Sequence, residues 1–109
     1  MTDRELLEAA AKAAGMDGWR YASPYTGMVK MIDPTRPETT GSYGPDWNPL
    51  TDDGDALRLA VKLKMSIDTA LAQSMAMAWG WRDCVEKQAG DPYAATRRAI
   101  VRAAAEVQP

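Results

Sequence analysis

Histidine and phenylalanine are absent from this 109-residue chain, and cysteine occurs once, at Cys84. Without histidine, Ser-His-Asp and Cys-His catalysis, histidine general bases and zinc sites of the common Cys/His kind are excluded. One cysteine allows no intrachain disulfide, so nothing points to a secreted, bridge-stapled scaffold. Its thiol has Arg82 nearby in sequence but no base to activate it, which favours a buried or idle side chain. No apolar run approaches the roughly 18 residues of a membrane span. The opening MTDRELLEAA is charged and lacks the apolar core of a signal peptide. A cytoplasmic protein is the expectation. The serines (Ser23, Ser42, Ser66, Ser74) lack a Gly-x-Ser-x-Gly setting, and no glycine-rich phosphate loop occurs. A net charge of −2 at pH 7 argues against a surface built throughout for phosphate backbones.

What is present describes a globular domain. Apolar residues make up 46% and charged residues 26%, and the length suits a single domain over 1–109. Seven methionines and four tryptophans supply the bulk that phenylalanine does not.

Local patterns divide the chain. Thr2 and Glu5 form a T-x-x-E capping box at the start of a helix over 3–14, with Gly15 placed to end it. Trp19–Tyr21 alternates and Met28–Ile32 is rich in strand formers, so SPYTG between them predicts a hairpin over about 18–23 and 28–32. From Asp33 to Pro49 the chain carries four of its seven prolines, which reads as a long irregular loop over 33–49, bearing Tyr43 and Trp47. A second helix is expected over 53–64, with Leu57, Ala60, Val61 and Lys64 at helical spacing and Ala56, Leu59 and Leu63 widening the apolar face. Asp91 and Pro92 open a third, over 92–107.

Met75-Ala-Met-Ala-Trp-Gly-Trp81 places a large residue at every odd position. A strand puts all four on one face, whereas a helix scatters them. Helical continuation through ALAQSMAMA competes, because those residues favour helix. The strand reading makes Ile67–Leu71 and Asp83–Lys87 its partners; the Met/Trp side is read as the core in preference to an exposed face that grips a partner, and the small side, Ala76, Ala78 and Gly80, suits close packing by another backbone or a helix. The fold class that follows is α+β: a small, mostly antiparallel sheet with three helices packed on one side.

WNPLTDDGD (Trp47–Asp55) is the densest chemical signal. As a calcium loop starting at Asp46 it fails, with Leu50 at the fifth position, Thr51 at the sixth and Leu57 at the twelfth. A looser magnesium or calcium site competes with a structural reading, which is favoured. Thr51 or Asp52 caps the second helix, and Asp53 and Asp55 sit at its positive end. Thr51, Asp52, Asp55 and Asp91 are thus read as capping residues, and no metal or cofactor is expected.

Two blocks, WNPLTDDGDALRLAVKL (Trp47–Leu63) and DPYAATRRAIVRAAAE (Asp91–Glu106), resemble a group of small proteins of tailed bacteriophages and prophages of proteobacteria. That group carries a W-N-P-x-x-D-D-x-D-A-x-R-L block and a D-P-Y-A-A-x-R-x-A-I-V-x-A-A-A ending. The opening MTDRELLEAAAKAAG is also similar. The resemblance implies a phage or prophage origin, a bacterial cytoplasm and strands between the two blocks, and it implies no activity.

Small size, missing catalytic residue types and this resemblance lead to an expected non-enzymatic accessory protein that binds a host or phage protein. Tyr43, Trp47 and Trp81 are its candidate contact residues, and a sheet edge could pair two copies. The alternative is nucleic-acid association through Arg97, Arg98 and Arg102 of the last helix. The acidic net charge and the lack of a nucleic-acid motif weigh against it.

Overall fold

Helix α1 (Asp3–Ala13) begins with the expected capping box. The Glu5 N–H donates to the Thr2 hydroxyl (3.2 Å), and the Thr2 N–H donates to the Glu5 carboxylate (3.0 Å). These bonds, the one from the Thr2 backbone foremost, hold the Glu5 carboxyl below its ordinary value of 4.5. At the other end Gly15 takes φ 72°, and the Met16 N–H closes back onto the Ala11 carbonyl (3.0 Å). The computed structural model describes residues 1–31, 43–70, 72–78 and 83–107.

Strands β1 (Trp19–Ser23) and β2 (Gly27–Met31) form the expected hairpin, and β3 (Tyr43–Trp47) adds to β2, all antiparallel. The stretch read as loop over 33–49 therefore ends in a strand, while residues 32–42 lie outside the described residues. Pro45 concealed this strand. Proline lacks a ladder donor, but β3 is an edge strand, and a register shift opposite Val29–Met31 breaks the ladder there. Pairing aligns Tyr21 with Met28 and Met28 with Trp47. Met28 and Trp47 are buried, and α1 packs against β1 and β2.

Strands β4 (Ser66–Asp68), β5 (Gln73–Met77) and β6 (Cys84–Lys87) form a second antiparallel sheet in that order. Helix α3 (Pro92–Glu106) covers β5 and β6, and it also contacts α1 and α2 (Asp53–Lys62). The class is α+β as expected, but with two small sheets in place of one. A single cluster of buried side chains draws on both sheets and all three helices.

Two face assignments reverse. In β5 the strand alternation is present, but Ala76 and the following Ala78 are buried while Met75 and Met77 are half-buried. Small side chains let the alanine-rich α3 approach the sheet closely, and the methionines take the other side. In α2 the buried residues are Ala56, Leu59 and Ala60, and the supposed core residues Leu57 and Val61 point outward. Among the described residues no helix is long and apolar enough to cross a membrane.

Candidate functional site

WNPLTDDGD works as a clamp. Asn48 is buried, and its Nδ2 donates to the Pro24 carbonyl (3.2 Å) at the β1–β2 turn. Its Oδ1 accepts from the Leu50 N–H (3.1 Å), and its own N–H donates to the Asp55 carboxylate (2.9 Å). The side chain thus ties the hairpin turn to the segment leading into α2, and the backbone N–H of the same residue fastens that segment to Asp55 of the helix. The turn comes so close that a Cβ on Gly27 (φ 78°) would lie 2.5 Å from the Trp47 carbonyl oxygen. Asp52 is the cap, accepting from the Asp55 N–H (2.8 Å). Thr51 does not cap: its N–H and hydroxyl both turn back to the Asn48 carbonyl. Asp55 bridges the Asn48 N–H and the Arg58 guanidinium (2.7 Å). Asp91 caps α3 through the Ala94 N–H (3.0 Å). Each acid of the run therefore has a structural bond, and no metal-ligating cluster of three or more acidic or cysteine side chains occurs among the described residues.

The three arginines of α3 are each paired with carboxylates of the fold. Arg97 donates to the Leu50 carbonyl (2.9 Å) and pairs with Asp53 (2.6 Å). Arg98 pairs with Asp3 (2.9 Å) and more distantly with Glu86 (3.9 Å). Arg102 donates to the Val85 carbonyl (3.0 Å) and pairs with Glu86. Arg98 and Arg102 share Glu86 of β6, and Arg97 reaches α2. A guanidinium already paired within the fold has less to offer a phosphate.

A concavity with a volume near 630 Å³ lies between α2, α3 and β4. Ala56 and Leu57 form one wall, Pro92, Tyr93 and Ile100 the other, and Ile67 closes an end. Its floor carries a chain of hydroxyls. The Thr96 hydroxyl donates to the Pro92 carbonyl (2.7 Å), which uses its only hydrogen. The buried Ser74 hydroxyl must then donate to Thr96 (2.8 Å), and it accepts from the Gln88 amide (3.2 Å). Around this satisfied floor the rim is apolar and open: Leu57 is 60% exposed, Ile67 38% and Tyr93 69%. The arrangement offers apolar contact and no nucleophile–base pair.

Of the expected contact residues, Trp47 is buried and serves the core. Tyr43 lies in β3, and Trp81 falls outside the described residues. The groove residues were missed, although α2 held a signal. Leu57 and Val61, added to Ala56, Leu59, Ala60 and Leu63, give more apolar arc than one buried face needs.

No known protein family, curated protein or solved structure matches this chain.

Proposed function

We propose that the chain is a phage or prophage accessory protein that acts by binding a host or phage protein, without catalysis, at the groove between α2 and α3. The observation that carries this is the apolar rim: Leu57, Ile67 and Tyr93 are all exposed around one concavity. Large apolar residues gathered at a surface concavity mark interaction sites, and tyrosine is prominent among contact residues that dominate binding energy. The phage origin rests on the resemblance of the Trp47–Leu63 and Asp91–Glu106 blocks. These are also the segments that supply the two long walls of the groove. Ile67, Thr69 and Gln88, from the region between the blocks, line its end, which suits a shared site with individual specificity. Nucleic-acid association draws less support, because Arg97, Arg98 and Arg102 each hold an internal carboxylate.

The test is affinity capture from a proteobacterial host lysate, with wild type beside Tyr93→Ala. A protein retained by wild type and lost with Tyr93→Ala is the expected result. Capture of nothing above background, or capture indifferent to Tyr93, overturns the proposal.

A further inference from the structure

Beside the groove, one edge of the second sheet is open, and the pairing register fixes which groups face outward there. The Gln88 N–H donates to the Ala72 carbonyl (3.0 Å), and the same register continues through Ser74 with Glu86 to Ala76 with Cys84. In an antiparallel ladder, pairs that exchange hydrogen bonds alternate with pairs that do not. Ser74 and Ala76 therefore bond to β6, while Met75 and Met77 bond to β4, at Asp68 and Ser66. Ile67 lies between those two, so its own N–H and C=O point away from the sheet. By the same alternation the Val85 carbonyl points out of the opposite edge, where Arg102 takes it (3.0 Å). No described side chain does this for Ile67. All three residues of β4 are exposed.

Ile67 stands opposite Ala76, which is buried in the core, so both side chains lie on the α3 face of the sheet. From there Ile67 lines the groove with Leu57, Tyr93 and Ile100. An open main-chain edge and an apolar groove thus meet at one residue. Extended main chain is the chemistry that satisfies both. A helix uses its N–H and C=O groups internally and has none to offer. A strand laid antiparallel along β4 exchanges both bonds with Ile67 through the single residue opposite it. That residue's side chain falls on the α3 face, like Ile67, and enters the groove. The residue before it stands opposite Asp68, on the other face. Asp68 is exposed and uses Oδ1 on the Ala70 N–H (2.9 Å). A cation opposite it forms a cross-strand ion pair. Lys87, on that same face, is two strands away on β6.

We infer that the groove receives its partner as an extended segment that adds antiparallel to β4, with an apolar residue opposite Ile67 and a lysine or arginine immediately before it, opposite Asp68. The inference rests on reading the groove as a protein-binding site, and it names what enters. This is strand addition, in which main-chain bonds hold the segment and alternate side chains select it.

Linear peptides selected from a random display library on the whole protein provide the probe. Selection should return a basic residue followed by an apolar one. The tightest peptide, made synthetically, should slow hydrogen exchange at the Ile67 amide. N-methylation of its apolar residue removes the N–H that meets the Ile67 carbonyl and should weaken binding about tenfold. Ile67→Pro should abolish binding while the ladder to β5 stays intact, because the lost N–H faces outward. Asp68→Lys should weaken it by charge repulsion. Circular dichroism melting is the folding control, and the N-methylated peptide tests the same bond without altering the protein. A library that yields no binder overturns the inference. So does a binder indifferent to N-methylation that leaves Ile67 exchange unchanged. Self-pairing in sedimentation velocity that Ile67→Pro removes makes a second copy the occupant and overturns it too. A lysate protein captured through Tyr93 but indifferent to Ile67→Pro overturns strand addition alone. Peptide binding at Ile67 with nothing captured from the lysate overturns the proposed function alone.

Discussion

At the scale of single residues, Asn48 does more than any acid beside it. It is buried, and it satisfies both the Pro24 carbonyl, distant in sequence, and the Leu50 N–H beside it. Removing a side chain of this kind strands buried polar groups, which costs about 1–3 kcal/mol. Asn48→Ala is therefore expected to destabilise the fold by about 2 kcal/mol in urea unfolding. Asn48→Asp should cost at least as much, because it keeps the acceptor but replaces the donor with charge facing the Pro24 carbonyl. A value near zero for both would mean that the hairpin turn is held without this clamp. The sequence made the acids of WNPLTDDGD conspicuous because caps act within three residues. The partner of Asn48 lies 24 positions away, and no local pattern announces it.

At the scale of elements, starts were more legible than faces. Thr2, Asp52 and Asp91 all cap as their spacing implies, because a cap needs only the next few backbone N–H groups. Which side of α2 meets the core depends on where α3 lies, and periodicity alone could not choose between Leu57–Val61 and Ala56–Ala60. The end of α2 was also displaced. The Met65 N–H returns to the Ala60 carbonyl (2.9 Å), closing the helix with Lys64 in the left-handed region at φ 53°. A side chain there costs about 1–2 kcal/mol relative to a relaxed backbone. Lys64→Gly should accordingly stabilise the protein by up to about 1 kcal/mol, since glycine gives back part of the gain as unfolded-state entropy. Thermal melting measures this. A fall in melting temperature would show that the strain is relieved elsewhere.

At the scale of the molecule, α3 is the element on which the rest is assembled. Ala99, Val101, Ala103 and Ala104 are fully buried, and the helix touches α1, α2 and the second sheet. Its arginines extend those contacts outward: Arg97 to α2, Arg98 to α1 and β6, Arg102 to β6. The sequence showed these side chains only as a cluster of positive charge, because their carboxylates lie far away in the chain, Asp3 by 95 positions and Asp53 by 44. Arg97 is the one to test, since it joins the two blocks that carry the phage resemblance and stands in the groove wall. Its partner Asp53 is largely exposed, so solvent screens the pair and the coupling should be only about 0.5–1 kcal/mol. The guanidinium is mostly buried and also holds the Leu50 carbonyl. Arg97→Ala should then cost about 2 kcal/mol, more than the ion pair alone, through lost packing of its stem and an unpartnered carbonyl. Asp53→Ala should cost about 0.5 kcal/mol. A double-mutant cycle by urea denaturation separates these contributions. Equal costs for the two single substitutions would mean that the ion pair, not the carbonyl contact, fastens α2 to α3.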